Sequence, residues 1–227
     1  MKLLAIDTAT ERCSVALWVD GEILEQKRLL NRAHAEVILP MVDQVLAEAG
    51  SSLSQLDGIA FGRGPGGFTG VRVAVSVAQG LAFGTALPVL PVSDLAAVAA
   101  AAHRLHGAER ILVCMDARMS EVYWGAYEVA DLELKMPGGE HISPPDRVTL
   151  PDTRTWYGAG SGFLAYREAL QGRLKSGIHG TDPSLLPSAH DVVSLAAEAY
   201  LRGEYLPAEQ ALPVYLRDQV AWPKRAL

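Results

Sequence analysis

Gly58-Ile59-Ala60-Phe61-Gly62-Arg63-Gly64-Pro65-Gly66-Gly67-Phe68-Thr69-Gly70-Val71-Arg72 reads as a buried strand, a glycine-rich loop and the start of a helix. Five glycines fall among residues 62–70, and glycine permits backbone geometry that other residues resist. Val71 to Ala82 is long enough for a helix and carries a single charge, Arg72. Thr69 is expected to cap it. Free amides at such a helix start suit an anion. Gly62-x4-Gly67-Phe68-Thr69 even has the spacing of a P-loop, but Phe68 stands where the loop lysine belongs and Pro65 removes an amide. Nucleotide hydrolysis at this loop is therefore not expected. What remains is a surface that presents Phe68 and Arg72, against the plainer reading of a strand-to-helix turn that needs glycine only to fit.

Upstream, Leu3-Leu4-Ala5-Ile6 is an apolar run ending at Asp7. Cys13 to Val19 alternates as a strand does, Asp20-Gly21 is a hairpin signal, and Glu22 to Leu30 completes an antiparallel meander. Ala35 to Ala49 follows with helical spacing, closed by Gly50. Leu56 to Phe61 is the fourth strand, and a fifth lies around Leu87 to Leu90 beyond the second helix. Three antiparallel strands followed by helix, strand, helix, strand is the plan of a ribonuclease-H-like α/β unit.

Ser93-Asp94 caps an Ala-rich helix to about Leu105, expected to link two halves. Ile111 to Asp116, a turn, and a strand from Glu121 to Val129 then repeat the opening pattern. The expected division is 1–108 for the first lobe and 109–227 for a reduced second lobe. Met136 to Pro151 reads as a loop with at most a short element inside it. A strand is expected at 155–160, helix at 163–174, and a helix from Pro187 to Leu201. Pro213 to Arg217 reads as extended and the last few residues as loose.

The chain has 227 residues, 49% hydrophobic and 20% charged, with a formal charge of −6. That fits a globular protein with a sizeable core. It disfavours gripping nucleic acid unaided, since phosphate contacts need clustered Lys and Arg. The initial apolar run is too short for a signal peptide and no stretch approaches the roughly twenty residues of a membrane span. Cys13 and Cys114 lie in apolar runs and read as buried free thiols of a reducing, cytoplasmic setting.

Asp7-Thr8-Ala9-Thr10 stands where actin-like ATPases and sugar kinases carry an Asp-x-Gly-Thr phosphate turn. Ala9 replaces its glycine, and Asp116-Ala117-Arg118-Met119 in the second half has no glycine. A capped hairpin turn is the favoured reading of both, with Asp7, Thr8 and Thr10 kept as candidates for a residual nucleotide contact. No H-x-x-x-H or H-E-x-x-H pair occurs among the six histidines, and His103 and His106, three apart, stand at the ragged end of an Ala-rich helix without nearby carboxylates, so neither metal nor cofactor is expected. The sequence also offers no nucleophile elbow. The first two helices carry more apolar surface than one sheet needs, which suggests an interface, unless the linking helix covers them.

Ile6-Asp7-Thr8-Ala9-Thr10, Arg32 to Glu36 with Leu39-Pro40, and Gly64 to Arg72 resemble the TsaB (YeaZ) family. So do Pro91-Val92-Ser93, Met115 to Tyr123 and Pro213-x-Tyr215-Leu216-Arg217, so the resemblance runs the whole length. It implies an actin-like ATPase fold of two lobes that has lost its catalytic equipment. It implies a scaffold or activator that pairs with the catalytic paralogue TsaD, or with itself, and works with the ATPase TsaE. That assembly transfers threonylcarbamoyl to N6 of adenosine 37 in tRNAs reading codons that begin with A, the tRNA being met only through the complex. On this reading His34, Glu36, Ile38, Val42 and Val45 of the first helix, with Phe68, Arg72 and Val75 of the second, form the partner interface. Gly67 departs from the serine usual in the family. An autonomous ATP-dependent phosphotransferase of the sugar-kinase type is the alternative, and a peptidase a weaker third.

Overall fold

Asp20 and Gly21 both sit at positive φ, 49° and 101°, and reverse the chain in the tight turn that this pair favours. Around that turn the computed structural model, which describes residues 1–131 and 133–217, builds its first sheet. β1 (Lys2–Asp7), β2 (Arg12–Val19) and β3 (Glu22–Leu29) form the meander. α1 (His34–Glu48), β4 (Gly58–Gly62), α2 (Phe68–Thr85) and β5 (Val89–Val92) complete the unit in the expected order. The strands lie β3-β2-β1-β4-β5, with β4 parallel to both β1 and β5.

After α3 (Asp94–His106) the plan recurs with β6 (Arg110–Asp116), β7 (Val122–Ala130), β8 (Glu133–Lys135) and β9 (Glu140–Ser143). Then come β10 (Trp156–Ala159), α4 (Gly162–Ala165), α5 (Arg167–Leu174), β11 (Ile178–Asp182) and α6 (Ala189–Leu201). The second sheet runs β11-β10-β6-β7-β8, and β9 also pairs with β7. β6 and β7 repeat β1 and β2, while β10 and β11 repeat β4 and β5. Two such units make the actin-like ATPase fold.

The second unit is reduced in its helices and keeps its strands. The expected helix over 163–174 is two short pieces broken at Tyr166, where φ is −128°. β8 and β11 have no forecast in the sequence, because each is a short edge strand of mixed polarity. The expectation of loose final residues concerns positions outside the described ones.

Alternation along β1 assigns its two faces. Leu4 and Ile6 pack with Cys13, Val15 and Leu17 under Ile38, Val42 and Val45 of α1. Leu3 and Ala5 pack on the opposite face with Val192, Val193 and Ala196 of α6. The expected division at 108/109 corresponds to the link between α3 and β6, and α6, beyond that point in the chain, packs on the first sheet. α3 does link the halves: Leu95, Val98 and Ala102 join Ile111, Val113 and Met115 of the second sheet. Arg104 of α3 grips Asp191 of α6 through two bonds of 2.9 and 3.1 Å. Both cysteines are free and buried, and burial pushes the Cys13 thiol up to about 11.

This packing corrects four of the interface assignments. Ile38, Val42, Val45 and Val75 are exposed by 0%, 1%, 0% and 6%. They fill the core beneath α1 and α2 and are not available to a partner. The sheet covers them, so the linking helix is not what does so. The helices still leave Leu39 exposed on α1 and Val37, Val73, Val77 and Leu81 only partly buried.

Val42→Asp should therefore abolish cooperative unfolding or lower the melting temperature severely, since an unpaired buried carboxylate costs several kcal/mol of a total of about 5–15. Leu39→Asp should melt within about 2 °C of the parent. Thermal denaturation followed by circular dichroism decides, and a fold that tolerates Val42→Asp would contradict the assignment of α1's inner face.

Candidate functional site

The glycine loop is seated on the turn that ends β1. The Thr8 hydroxyl donates to Gly70 O at 2.7 Å, and the Gly67 N–H donates to Ala9 O at 2.7 Å. A Cβ on Gly70 would fall far inside contact distance of Thr8 O, and one on Gly66 would lie 2.7 Å from Ala9 O. Gly64, at φ 100°, passes beneath Val214, whose carbonyl would stand 2.7 Å from a Cβ there. These glycines are explained by backbone meeting backbone, and the plainer reading of the loop holds for them. Thr69 does not cap α2. The helix starts two residues earlier than that cap would place it, at Phe68, with Gly67 as its uncapped N-cap docked on Ala9.

Asp7 and Thr8 are 0% and 1% exposed, so neither is open to a nucleotide in this structure. Thr10 is half-buried, its hydroxyl accepting from the Arg12 N–H and its carbonyl facing His34 Nε2 at 2.9 Å. Asp116 is tied up too: it accepts from the Arg118 N–H at 2.8 Å, the Tyr166 hydroxyl at 3.0 Å and the Arg118 guanidinium at 3.0 Å. Both aspartates thus behave as turn residues. Among the described residues no three of His, Cys, Asp and Glu are grouped to hold a metal ion.

Asp7 meets Asp94, the first residue of α3, in the interior. Among the described residues Asp7 Oδ2 and Asp94 Oδ1 have no hydrogen-bond donor, and both crowd the Cα hydrogen of Gly62, where any side chain would collide with them. The second Asp94 oxygen accepts from the Gly64 N–H at 2.5 Å. Burial raises the carboxyl of Asp7. Burial first, and then the charge of Asp7, raise Asp94 well above the ordinary carboxylate range. Two carboxylates in contact cannot both ionise cheaply, so one proton shared between them would relieve both, and Asp94 is the more strongly raised. Glu140 of β9 extends the cluster, accepting from the Ser93 and Tyr127 hydroxyls with Arg63 at 3.8 Å.

What the loop does expose is aromatic and cationic. Phe68 is 46% exposed, and the Arg72 guanidinium lies 3.7 Å over its ring. Arg72 Nε donates to the Tyr215 hydroxyl at 2.7 Å, and the Phe68 and Tyr215 rings are 5.7 Å apart. The segment carrying Tyr215 straps the halves together. Val214 N–H donates to Arg63 O at 2.7 Å, and Arg217 pairs with Glu121 at 2.5 Å across the second-half turn. Of the residues expected at an interface, the structure leaves Phe68, Arg72 and Glu36 on the surface and His34 half-buried.

Sequence reasoning missed Tyr215, Arg217 and the acid role of Asp94. Asp94 looks like an ordinary first-turn acid, and nothing local in its sequence announces Asp7 as neighbour. Tyr215 and Arg217 sit in a readable Pro-x-Tyr-Leu-Arg stretch, but their partners lie more than ninety positions away.

The sequence family described as TsaD, tRNA N6-adenosine threonylcarbamoyltransferase, matches residues 22–225. The tRNA threonylcarbamoyladenosine biosynthesis protein TsaB of Escherichia coli K12 is 41% identical, the match covering 99% of this chain and 98% of that one. The structure described as YeaZ from Pseudomonas aeruginosa is 52% identical, with a TM-score of 0.89 over 95% of this chain and 99% of that one. The chain belongs to the TsaB (YeaZ) family. The TsaB of Haemophilus influenzae is likewise 41% identical, over 99% of this chain and 97% of its own. Within this TsaB-family chain the phosphate turns and glycine loop of the fold are kept as shape and spent on internal contacts.

The acid pair makes a signed prediction. In the unfolded chain Asp94 titrates near its ordinary 3.8, whereas the folded carboxyl holds its proton higher. Folding therefore takes up a proton above about pH 4, and this group's contribution falls as pH rises from there. Asp94→Asn keeps an acceptor for Gly64 and an N–H donor for Asp7. It should raise stability at pH 8 by on the order of 1 kcal/mol and leave it little changed near pH 4. Melts across that range test it; a lower melting temperature for Asp94→Asn at pH 8 would refute the shared proton.

Proposed function

We propose that this chain is a non-catalytic partner subunit in tRNA threonylcarbamoyladenosine biosynthesis. It pairs with TsaD, works in a complex with TsaE, forms a homodimer when alone, and meets tRNA only through that complex. The names of its TsaB relatives support the pathway. The observation that carries the non-catalytic reading is the fate of the glycine loop: its glycines seat the turn after β1 and its lysine position presents Phe68 to solvent. The thiols are buried, and the phosphate-turn aspartate is shut in the interior. The interface is the outer surface of α1 and α2, with Leu39, Glu36, Phe68 and Arg72 in contact and His34 at its edge. An autonomous sugar-kinase-type phosphotransferase would need Asp7 and Thr8 open to its nucleotide, and they are closed.

Reconstitution with TsaD, TsaE and substrate tRNA, omitting each protein in turn, tests the reading. Modification should require this chain. Leu39→Asp and Phe68→Ala should each weaken co-purification with TsaD by about tenfold or more while the melting temperature holds. Full modification without this chain, or pairing untouched by both substitutions, would overturn the proposal.

A further inference from the structure

On the far edge of the second sheet, between α5 and β11, lies an open cavity of about 520 Å³, a volume typical of small-ligand sites. Its helix wall is one face of α5, with Arg167, Leu170, Gln171 and Leu174 at helical spacing, and Lys175 follows just past the helix end at φ 47°. Leu170 and Leu174, with Phe163 of α4, supply a buried apolar floor. The rim carries Arg167, Lys175 and, from β11, His179, all exposed. None of these three makes a salt bridge or a side-chain hydrogen bond among the described residues, and His179 only rests beside the Tyr157 ring at 5.8 Å.

Among the described residues no carboxylate lines the cavity. Asp182, on the same strand, is turned to His106 at 2.9 Å. This occurs in a chain where 26 acids outnumber 20 bases, so a rim with Arg167 and Lys175 and no acid is a local departure from the average. The reduction of the second unit opens the space. α2 has 18 residues, whereas the corresponding stretch of the second unit is a 4-residue helix and an 8-residue helix broken at Tyr166.

From this the geometry points to a second binding site, between α5 and β11, for a phosphate ester on a flat apolar body, in the manner of a nucleoside monophosphate. Arg167 and Lys175 take the phosphate, and the edges of Phe163 and Leu174 that stay open over the buried Leu170 take the base or sugar face. Arg suits the forked contact and Lys the point charge. The ester is either a free nucleotide or a nucleotide within an RNA strand, and the chemistry at the cavity is the same. The site is remote from α1 and α2 in the chain and does not depend on the partner-subunit reading.

Isotope-labelled full-length chain, titrated with AMP, inorganic phosphate and a short single-stranded RNA in separate arms, tests this by amide chemical shifts. AMP or RNA should move the amides of Leu174 to Thr181. Lys175→Ala and Arg167→Ala, both on the surface, should each weaken binding about tenfold, as should 0.5 M salt. Phosphate alone should bind more weakly than AMP. Binding of AMP without RNA makes the source a free nucleotide, binding of RNA without AMP makes it a strand, and either supports the site. Silence in both arms, shifts elsewhere, shifts that survive the double substitution, or phosphate binding as tightly as AMP would overturn it.

Discussion

The docking of α2 onto the turn after β1 is the contact on which the first unit depends. Gly70 has no side chain because Thr8 O occupies that space, and Gly66 has none because Ala9 does. Thr8 then donates to Gly70 O, and the Gly67 amide is used on Ala9 O. A loop that in outline resembles a phosphate cradle has the amides of Arg63, Gly64 and Gly67 turned inward onto Val92, Asp94 and Ala9. The buried Asp7–Asp94 pair lies just beneath and ties β1, the start of the loop and the start of α3 to one another. Unpaired polar groups are costly in such a place, so the shared proton is what makes the joint tolerable.

From that joint outward, the two units diverge in what they do with one topology. The first keeps long helices, and their inner faces fill the core while their outer faces keep Leu39 and partly buried valines near solvent. The second keeps every strand but shortens its helices, leaving the cationic cavity at its edge. Arg217 and Tyr215 bind the units together near the turns, beside the Arg72–Phe68 stack that is the loop's exposed product.

Much of the fold was legible because its signals are local. Asp20-Gly21, the strand-Asp runs at Leu3 to Asp7 and Ile111 to Asp116, and the Ser93 cap each act within a few residues. The edge strands β8 and β11 were not, since their short mixed sequences become strands only by pairing with β7 and β10. The site was legible in part. Phe68 and Arg72 stand out because an aromatic and a cation break a run of small residues. Ile38, Val42, Val45 and Val75 misled because a helix wheel shows that a face is apolar but not whether a sheet or a partner covers it. Asp94 and Tyr215 were hidden because their partners are brought together only by the tertiary fold.

The claim that the glycines serve a packed joint and not a ligand cradle has a direct measurement. Gly70 lies within α2, where alanine would stabilise an unobstructed helix by roughly 0.5–1 kcal/mol. The stability of Gly70→Ala, measured by denaturant unfolding, therefore has opposite signs under the two readings. The joint predicts a loss of several kcal/mol or failure to fold, because a methyl group cannot share space with Thr8 O. A variant as stable as the parent, or more stable, would contradict it.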